Sequence, residues 1–385
     1  MRPRAVSHQA AIQHQHQQRA NRWGLFDGAG IARMLPKGEN PSHFARRELE
    51  RGALVLPVAK GNRVLMAREE IQWLTKPQIE ETFQLRYEDD TASFTAAEDD
   101  VSSPKFDLIF LGRDEGREAS FFALDLTTHG DLDPRGGGPD EDPSFGELRA
   151  YIKAHGDLLG SGDRATAVSR AGYALALGNW ARGVRFCPSC GSPTRSTAIG
   201  TRKQCTNIAC GKKQYPRVDP VAIMLVVSRD GNHVLLASPK YASGRMLTCL
   251  AGFIEQCETI EEAVAREVQE ECGVDVEAVE ILGSQPWPLG RSGACELMIG
   301  CLARAATNPS SAELKVDTDE LNSATWVPVS VAAEKLARSK ERGRRPTEVA
   351  ADREDTFIVP PYAIAHQIIT HFMETSGHAP SVPKL

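Results

Sequence analysis

Three observations predict an α/β (α+β) chain. Two strand-like runs, Val221 to Val227 and His233 to Ala237, flank the hairpin signal Arg229-Asp230-Gly231-Asn232. A helix with a capping signature opens at Thr259. Upstream, Phe106 to Gly112 and Phe121 to Leu126 read as paired strands, followed by a helical stretch through Asn179 and Trp180. With 385 residues, the chain is long enough for two or three domains with full cores.

Taken in order, residues up to about Asn40 are His- and Gln-rich with no acidic residue before Asp27, the composition of a disordered tail. Arg2, Arg4, Arg19 and Arg22 hint at a mitochondrial presequence, but Ser content and an apolar face are poor. Gly28-Ala29-Gly30 is only a fragment of a dinucleotide fingerprint, with no strand before it. An N-terminal α+β domain is expected over 41–183, with a Gly/Pro/acidic loop from Gly136 to Asp142. A net charge of −6 with mixed signs argues against a general nucleic-acid surface, leaving room for a local basic groove. No apolar run approaches the ~20 residues of a membrane span, so no membrane partner is expected.

Cys187, Cys190, Cys205 and Cys210 have the spacing C-x2-C-x14-C-x4-C. Two close thiolate pairs suit tetrahedral Zn²⁺, and four protein ligands make such a site structural. The competing reading is unrelated thiols or disulfides, which the absence of a visible secretory signal disfavours. Cys249, Cys257, Cys272, Cys295 and Cys301 remain scattered, as suits a reducing compartment. The ribbon is expected over 184–218.

Thr259-Ile260-Glu261-Glu262 forms a capping box, so a helix should run from there to about Cys272 and stop at Gly273. At about 100° per residue, Glu267, Glu270 and Glu271 fall in one arc that touches the apolar side at Ala263, Val264 and Val268. A solvated face stapled by pairs such as Arg266 with Glu270 is the bland alternative. Several carboxylates on a semi-buried edge are costly without a cation, and oxygen ligands suit Mg²⁺ or Mn²⁺. Gly252 and Phe253 are expected to open a loop folding back on the helix N-terminus, where amides favour phosphate.

Gly252 to Val274 fills every defined position of G-x5-E-x7-R-E-U-x-E-E-x-G-U, U being aliphatic, and so resembles the Nudix hydrolases. Tyr215-Pro216-Arg217-Val218-Asp219-Pro220, Leu250-Ala251-Gly252-Phe253 and Ser284-Gln285-Pro286-Trp287-Pro288 resemble the arrays of the NADH pyrophosphatases, a Nudix branch that also carries a four-cysteine zinc ribbon. That resemblance implies a Nudix α/β/α sandwich with a mixed sheet over 219–378, after the zinc ribbon and the accessory domain. It implies that Glu267, Glu270 and Glu271, with Glu320 and Ala251, bind Mg²⁺ or Mn²⁺, that Arg266 orients a glutamate, and that Glu258 supports the loop. The catalytic set would be Arg266, Glu267, Glu270 and Glu271, with the base among the last two.

Substrate would meet Tyr215 and Phe253 on either side of the nicotinamide, with Tyr215 acting across a homodimer interface. Ala251, Gln285, Pro286, Trp287, Pro288, Ser292 and Ala365 would complete that site. The implied activity is hydrolysis of NADH or NAD⁺ to nicotinamide mononucleotide and AMP. Alternatives are removal of NAD caps from RNA 5′ ends, or a non-catalytic interaction protein on a Nudix scaffold. The chain departs from the branch at Cys257, where many members have Gly, and at Leu289-Gly290, which replaces Phe-Pro. Gly293-Ala294-Cys295-Glu296 looks inserted, and this Gly-rich stretch is expected to loosen the substrate loop. Ala337 to Asp355 reads as a charged, mobile insert. Pro383-Lys384-Leu385, in a tail over 379–385, approximates a peroxisomal address and implies an import receptor; cytoplasm or mitochondrion is the alternative location.

Overall fold

The computed structural model describes residues 38–96, 105–114, 116–127, 143–155, 162–242, 244–309, 314–344 and 356–377. The expectations for residues 1 to 37, the Gly136 to Asp142 loop and Pro383-Lys384-Leu385 lie outside the described residues. No described helix is long and apolar enough to cross a membrane.

The N-terminal part holds helices α1 (Pro41–Glu50) and α2 (Lys76–Phe83) and strands β1 (Leu54–Ala59), β2 (Arg63–Ala67), β3 (Glu70–Ile71), β4 (Leu85–Glu88), β5 (Ser93–Ala96), β6 (Lys105–Asp114), β7 (Ala119–Asp125) and β8 (Ser144–Glu147). They form one sheet in the order β3-β2-β1-β7-β6-β5-β4, with β8 on β2. β6 and β7 pair antiparallel as their sequence predicts, whereas β1 and β7 run parallel. Helices α3 (Leu148–Ala154) and α4 (Asp163–Gly183) follow. Their apolar residues, including Leu148, Ile152, Val168 and Leu175, bury against Leu56, Val58, Ile109 and Ala123.

Strands β9 (Thr194–Thr197), β10 (Arg202–Cys205) and β11 (Lys213–Gln214) make a small antiparallel sheet around the four cysteines. It leans on β6: the Phe110 amide donates to the Ile199 carbonyl at 2.9 Å, and the Ser196 hydroxyl donates to the Asp107 carboxylate. Gly200 sits at φ +71 with Ile109 so close that a Cβ would lie 2.7 Å from it, so glycine is required on both counts.

The C-terminal part is a mixed sheet in the order β16-β17-β12-β13-β18, with β15 on β12. Its strands are β12 (Asp219–Val227), β13 (His233–Pro239), β15 (Leu250–Phe253), β16 (Val276–Trp287), β17 (Glu296–Ala305) and β18 (Leu321–Pro328). β12 is apolar at every position from Val221 because both its faces are covered. Ala222, Met224 and Val226 face helix α5 (Ile260–Cys272), meeting Ala263, Val264 and Val268. Ile223, Leu225 and Val227 face helices α6 (Val329–Arg344) and α7 (Ile364–Thr375), meeting Leu336, Ile368 and Ile369. The result is the α/β/α sandwich that the resemblance implies. A short parallel pair, β14 (Met246–Leu247) with β19 (Phe357–Ile358), closes one edge.

Three expectations need correction. Gly252 and Phe253 end strand β15 instead of opening a loop, because their backbones pair with Ala222 and Val221. The stretch after Leu289 is not loosened: Gly290 donates to Ala294 O at 3.1 Å, Ala294 to Arg291 O at 3.0 Å, and the Arg291 amide to the buried Glu296 carboxylate at 2.9 Å. Those bonds close a 3-10 turn over Arg291–Gly293 that leans on α4 at Asn179, so hydrogen bonding replaces the stiffness of the missing proline. The predicted mobile insert begins as the last turns of α6, which continue to Arg344; residues 345–355 lie outside the described residues.

Candidate active site

Helix α5 behaves locally as its sequence asks. The Thr259 hydroxyl accepts from the Glu262 amide at 3.2 Å, the Glu262 carboxylate accepts from the Thr259 amide at 2.8 Å, and Gly273 ends the helix at φ 66. The inward arc is uneven. Glu267 and Glu271 are 9% and 5% exposed, whereas the Glu270 side chain is 61% exposed, being farthest from the apolar stripe.

Arg266 is the hub. Its Nε and Nη2 grip both oxygens of Glu258 at 2.8 and 2.9 Å. Its Nη1 donates to Glu267 at 2.7 Å and to Glu270 at 3.0 Å, and Nη2 also reaches the Phe253 carbonyl at 2.9 Å. One guanidinium thereby ties the end of β15, the connecting loop and two of the acids. Glu258 completes the loop by accepting from the Glu255 amide at 2.9 Å. The Arg266 pairing holds the Glu258 carboxyl below its usual range. Cys257, within this loop, adopts φ 67, which explains structurally why glycine suits the position.

Glu267 sits against β15 so closely that its carboxylate fills the space a side chain at Gly252 would need: a Cβ there would lie 1.8 Å from the Glu267 carboxyl carbon. Burial raises the Glu267 pKa, an effect that Arg266 opposes. Burial also pushes the Glu271 carboxyl up to about 8, and the charges of Glu267, Glu320 and Asp317 add to it. Glu271 Oε2 is buried with no hydrogen-bond partner. An orphaned carboxylate oxygen among like charges is expensive, and a hard dication is the group that satisfies it. The residues present therefore fit a divalent metal.

Glu320 comes close from far along the chain. The Asp317 amide donates to the Glu271 carbonyl at 2.9 Å and the Lys315 amide to the Cys272 carbonyl at 3.0 Å, wrapping this segment round the end of α5. Asp317 and Arg291 are the anion and the cation that sequence reasoning missed beside Glu271. The Arg291 guanidinium also lies 5.9 Å from the Phe253 ring centroid. Both contacts are long-range, so no local pattern announces them.

Of the predicted substrate residues, Phe253 is exposed beside this cluster. Tyr215 is 56% exposed, with the Arg202 guanidinium 5.5 Å from its ring; among the described residues it makes no ring contact with Phe253. Gln285 is only 1% exposed, donating to the Tyr362 carbonyl and accepting from the Ile364 amide, both at 2.9 Å. Its amide is thus a strut holding the start of α7. Pro286 and Trp287 belong to strand β16, paired with Leu297 and Glu296, and Pro288 is buried. Trp287 packs on the N-terminal core, with the Arg149 guanidinium 5.6 Å from its ring, while Arg149 donates to the Leu289 carbonyl at 2.7 Å. Ala365 is buried and Ala251 partly so, both in the apolar cluster under α7. The side chain of Ser292 lies outside the described residues.

The four ribbon sulfurs form a second candidate centre, all within 4.8 Å of one another. Cys187 Sγ is 3.8 Å from Cys210 Sγ, and Cys190 Sγ is 3.4 Å from Cys205 Sγ. A tetrahedron with bonds of about 2.3 Å has edges of about 3.8 Å, so the donor set fits one metal ion. Backbone amides point at the sulfurs: that of Ser189 lowers the Cys187 pKa, and that of Ser192 holds the Cys190 thiol down to about 6.

A NUDIX domain matches residues 218–347. The chain is 36% identical over 289 residues to the chloroplastic Nudix hydrolase 19 of Arabidopsis thaliana, covering 68% of this chain and 64% of that protein. It is 41% identical over 201 residues to the NAD-capped RNA hydrolase NUDT12 of Homo sapiens, covering 50% of this chain and 39% of that one. It is 32% identical over 271 residues to the mitochondrial NAD(P)H pyrophosphatase NUDT13 of Mus musculus, covering 70% of this chain and 72% of that one. The chain therefore spans less than two thirds of the first two relatives' own lengths. The extended match to the third, together with the intact acidic helix, places this chain in the Nudix hydrolase family.

Proposed function

We propose that this protein hydrolyses the diphosphate of NADH or NAD⁺, releasing nicotinamide mononucleotide and AMP. The carrying observation is the orphaned Glu271 oxygen with the charges of Glu267 and Glu320 acting on it, an arrangement that a hard dication would satisfy. Glu267, Glu270, Glu271, Glu320 and the Ala251 carbonyl would hold Mg²⁺ or Mn²⁺. A bound dication neutralises diphosphate charge and makes water a better nucleophile. Arg266 fixes Glu267 and the end of β15 so that the acids are set before substrate arrives. The attacking water forms a new P–O bond as the bridging P–O bond breaks. Glu271, or Glu270 in the more open position, takes the water's proton. Phe253 offers its exposed face to the nicotinamide, and Tyr215 serves the opposite face in a homodimer.

The four ribbon cysteines hold a structural Zn²⁺ in this reading. A peroxisomal location through Pro383-Lys384-Leu385 and its import receptor belongs to the same proposal. The test is AMP release from NADH by purified protein with Mg²⁺ or Mn²⁺. Release that depends on the dication and disappears in Glu271→Gln supports the reading; no release, or equal release from the variant, overturns it.

A further inference from the structure

A dinucleotide has two bases, and Phe253 with the acidic pocket accounts for one base and the diphosphate. Two exposed side chains beside that pocket, Tyr241 and Arg291, serve neither. Tyr241 lies in the loop between β13 and β14. The Lys240 amide donates to the Glu320 carbonyl at 3.0 Å, and the Asn322 side-chain amide donates to the Pro239 and Ala242 carbonyls at 2.9 and 3.2 Å. Those bonds strap the loop to the segment that carries Glu320. Tyr241 is 77% exposed, yet burial of its hydroxyl end raises its pKa, and the charges of Arg291, Arg149, Glu296 and Glu271 reach it. A ring open to solvent with protein gathered round its hydroxyl stands inside a cleft, and this cleft is the one that holds Glu271.

Arg291 enters the same cleft from a fixed turn. Its amide donates to the buried Glu296 carboxylate at 2.9 Å, and Gly293, at φ +77, packs against Asn179. Gly290 makes room for that carboxylate, since a Cβ there would lie 2.6 Å from the Glu296 carboxyl carbon. The glycine that departs from the proline-rich array therefore admits the acid that holds Arg291. The Arg291 guanidinium is 5.9 Å from the Phe253 ring centroid, near the outer limit of about 6 Å for such a contact, and Phe253 keeps 41% of its surface open. Among the described residues no carboxylate comes within 4.0 Å of that guanidinium. Arg149, the other cation here, is already engaged by the Leu289 carbonyl and the Trp287 ring. Arg291 is thus the common neighbour of both rings and of Glu271.

We propose that Tyr241 and Arg291 form the subsite for the second nucleotide, the Arg291 guanidinium taking its phosphate and the Tyr241 ring stacking its base. A guanidinium donates paired N–H bonds to phosphate oxygens, and an aromatic ring stacks any base, so the pair suits a nucleoside monophosphate as a class. With one base on Phe253 and the diphosphate across the dication pocket, Arg291 meets the phosphate that leaves with the other half. The subsite deepens the hydrolysis reading and rests on it for one point, that the second nucleotide is AMP.

The test is isothermal titration calorimetry of the full, zinc-loaded chain with AMP and with adenosine in saturating Mg²⁺, where neither ligand has a diphosphate to lose. Tyr241→Ala should weaken AMP and adenosine alike, by roughly 5- to 150-fold, the range for losing one stacked base. Tyr241→Phe should keep wild-type affinity for both, because the ring alone does the stacking. Arg291→Gln should weaken AMP by at least about 10-fold and leave adenosine unchanged, a split that general loss of structure would not produce. With NADH, Tyr241→Ala should raise KM and leave kcat, since a stacked base is held equally in the ground and transition states. Unchanged AMP affinity in Tyr241→Ala or in Arg291→Gln overturns the proposal. So does an Arg291→Gln variant that loses adenosine as much as AMP, or a wild type that binds no AMP at millimolar concentration. If wild type releases no AMP from NADH yet both variants lose AMP affinity as described, the hydrolysis reading fails and the subsite stands. Hydrolysis by wild type with unaltered AMP affinity in the variants removes the subsite alone.

Discussion

Gly252→Ala isolates the contact on which the acidic pocket depends. The added methyl would lie 1.8 Å from the Glu267 carboxyl carbon and 2.1 Å from each of its oxygens, distances at which the two cannot coexist. Gly252 has no positive φ, so the alanine backbone itself is unstrained there and β15 keeps its pairing with β12. The Glu267 carboxylate must leave its place, losing its 2.7 Å bond from Arg266 and its aim into the cluster. A charge-assisted hydrogen bond of that kind contributes about 1.5–3 kcal/mol. If the position of Glu267 carries that energy into the dication site, affinity for Mn²⁺ falls roughly 10- to 150-fold. The measurement is the Mn²⁺ dependence of NADH hydrolysis together with direct Mn²⁺ binding by electron paramagnetic resonance, and thermal unfolding to show that the fold persists. A variant with wild-type Mn²⁺ affinity and turnover would refute the assignment of Glu267 to the metal pocket.

Three further outcomes follow from contacts described above. Because burial and neighbouring acids raise Glu271 from a usual 4.5 to about 8, the dication-free protein is most stable with that carboxyl protonated. Its stability should fall, by something on the order of a few kcal/mol, as pH rises between those values. Urea midpoints should show the decline, saturating Mg²⁺ should flatten it, and a midpoint that climbs with pH in chelator would contradict it. Gln285→Leu strands the Ile364 amide and the Tyr362 carbonyl, costing about 2–4 kcal/mol in chemical denaturation; an unchanged midpoint would deny the strut. Cys257→Gly relieves a left-handed backbone at φ 67 and should leave calorimetric stability equal or higher, by about 1 kcal/mol, whereas a clear loss would mean the thiol has a packing role.

Helix α5 was legible because its determinants are local: a capping pair three residues apart, a terminal glycine and an acid arc set by helical pitch. The cysteine cluster was legible for a similar reason, its two knuckles being short-range patterns. What stayed hidden depends on contacts across the chain. Gln285 looked like a ligand-facing polar residue, yet its partners lie 77 and 79 residues away. The Gly-rich stretch after Leu289 looked loose because nothing nearby announces that Glu296 caps it and Asn179 braces it. Arg291 and Asp317 become neighbours of Glu271 only once β16 and the segment before β18 are laid against the helix.

Leu289 is buried in the hydrophobic core of the N-terminal sheet and its helices, more than a hundred residues downstream of every other fully buried member, with Trp287 and Tyr362 packed against the same cluster. A ribosome therefore finishes that early module with a gap in its interior, and fills the gap only when the catalytic half emerges. Heating the full chain should then melt both halves in one transition, and a fragment ending at Gly183 should be sticky and short-lived.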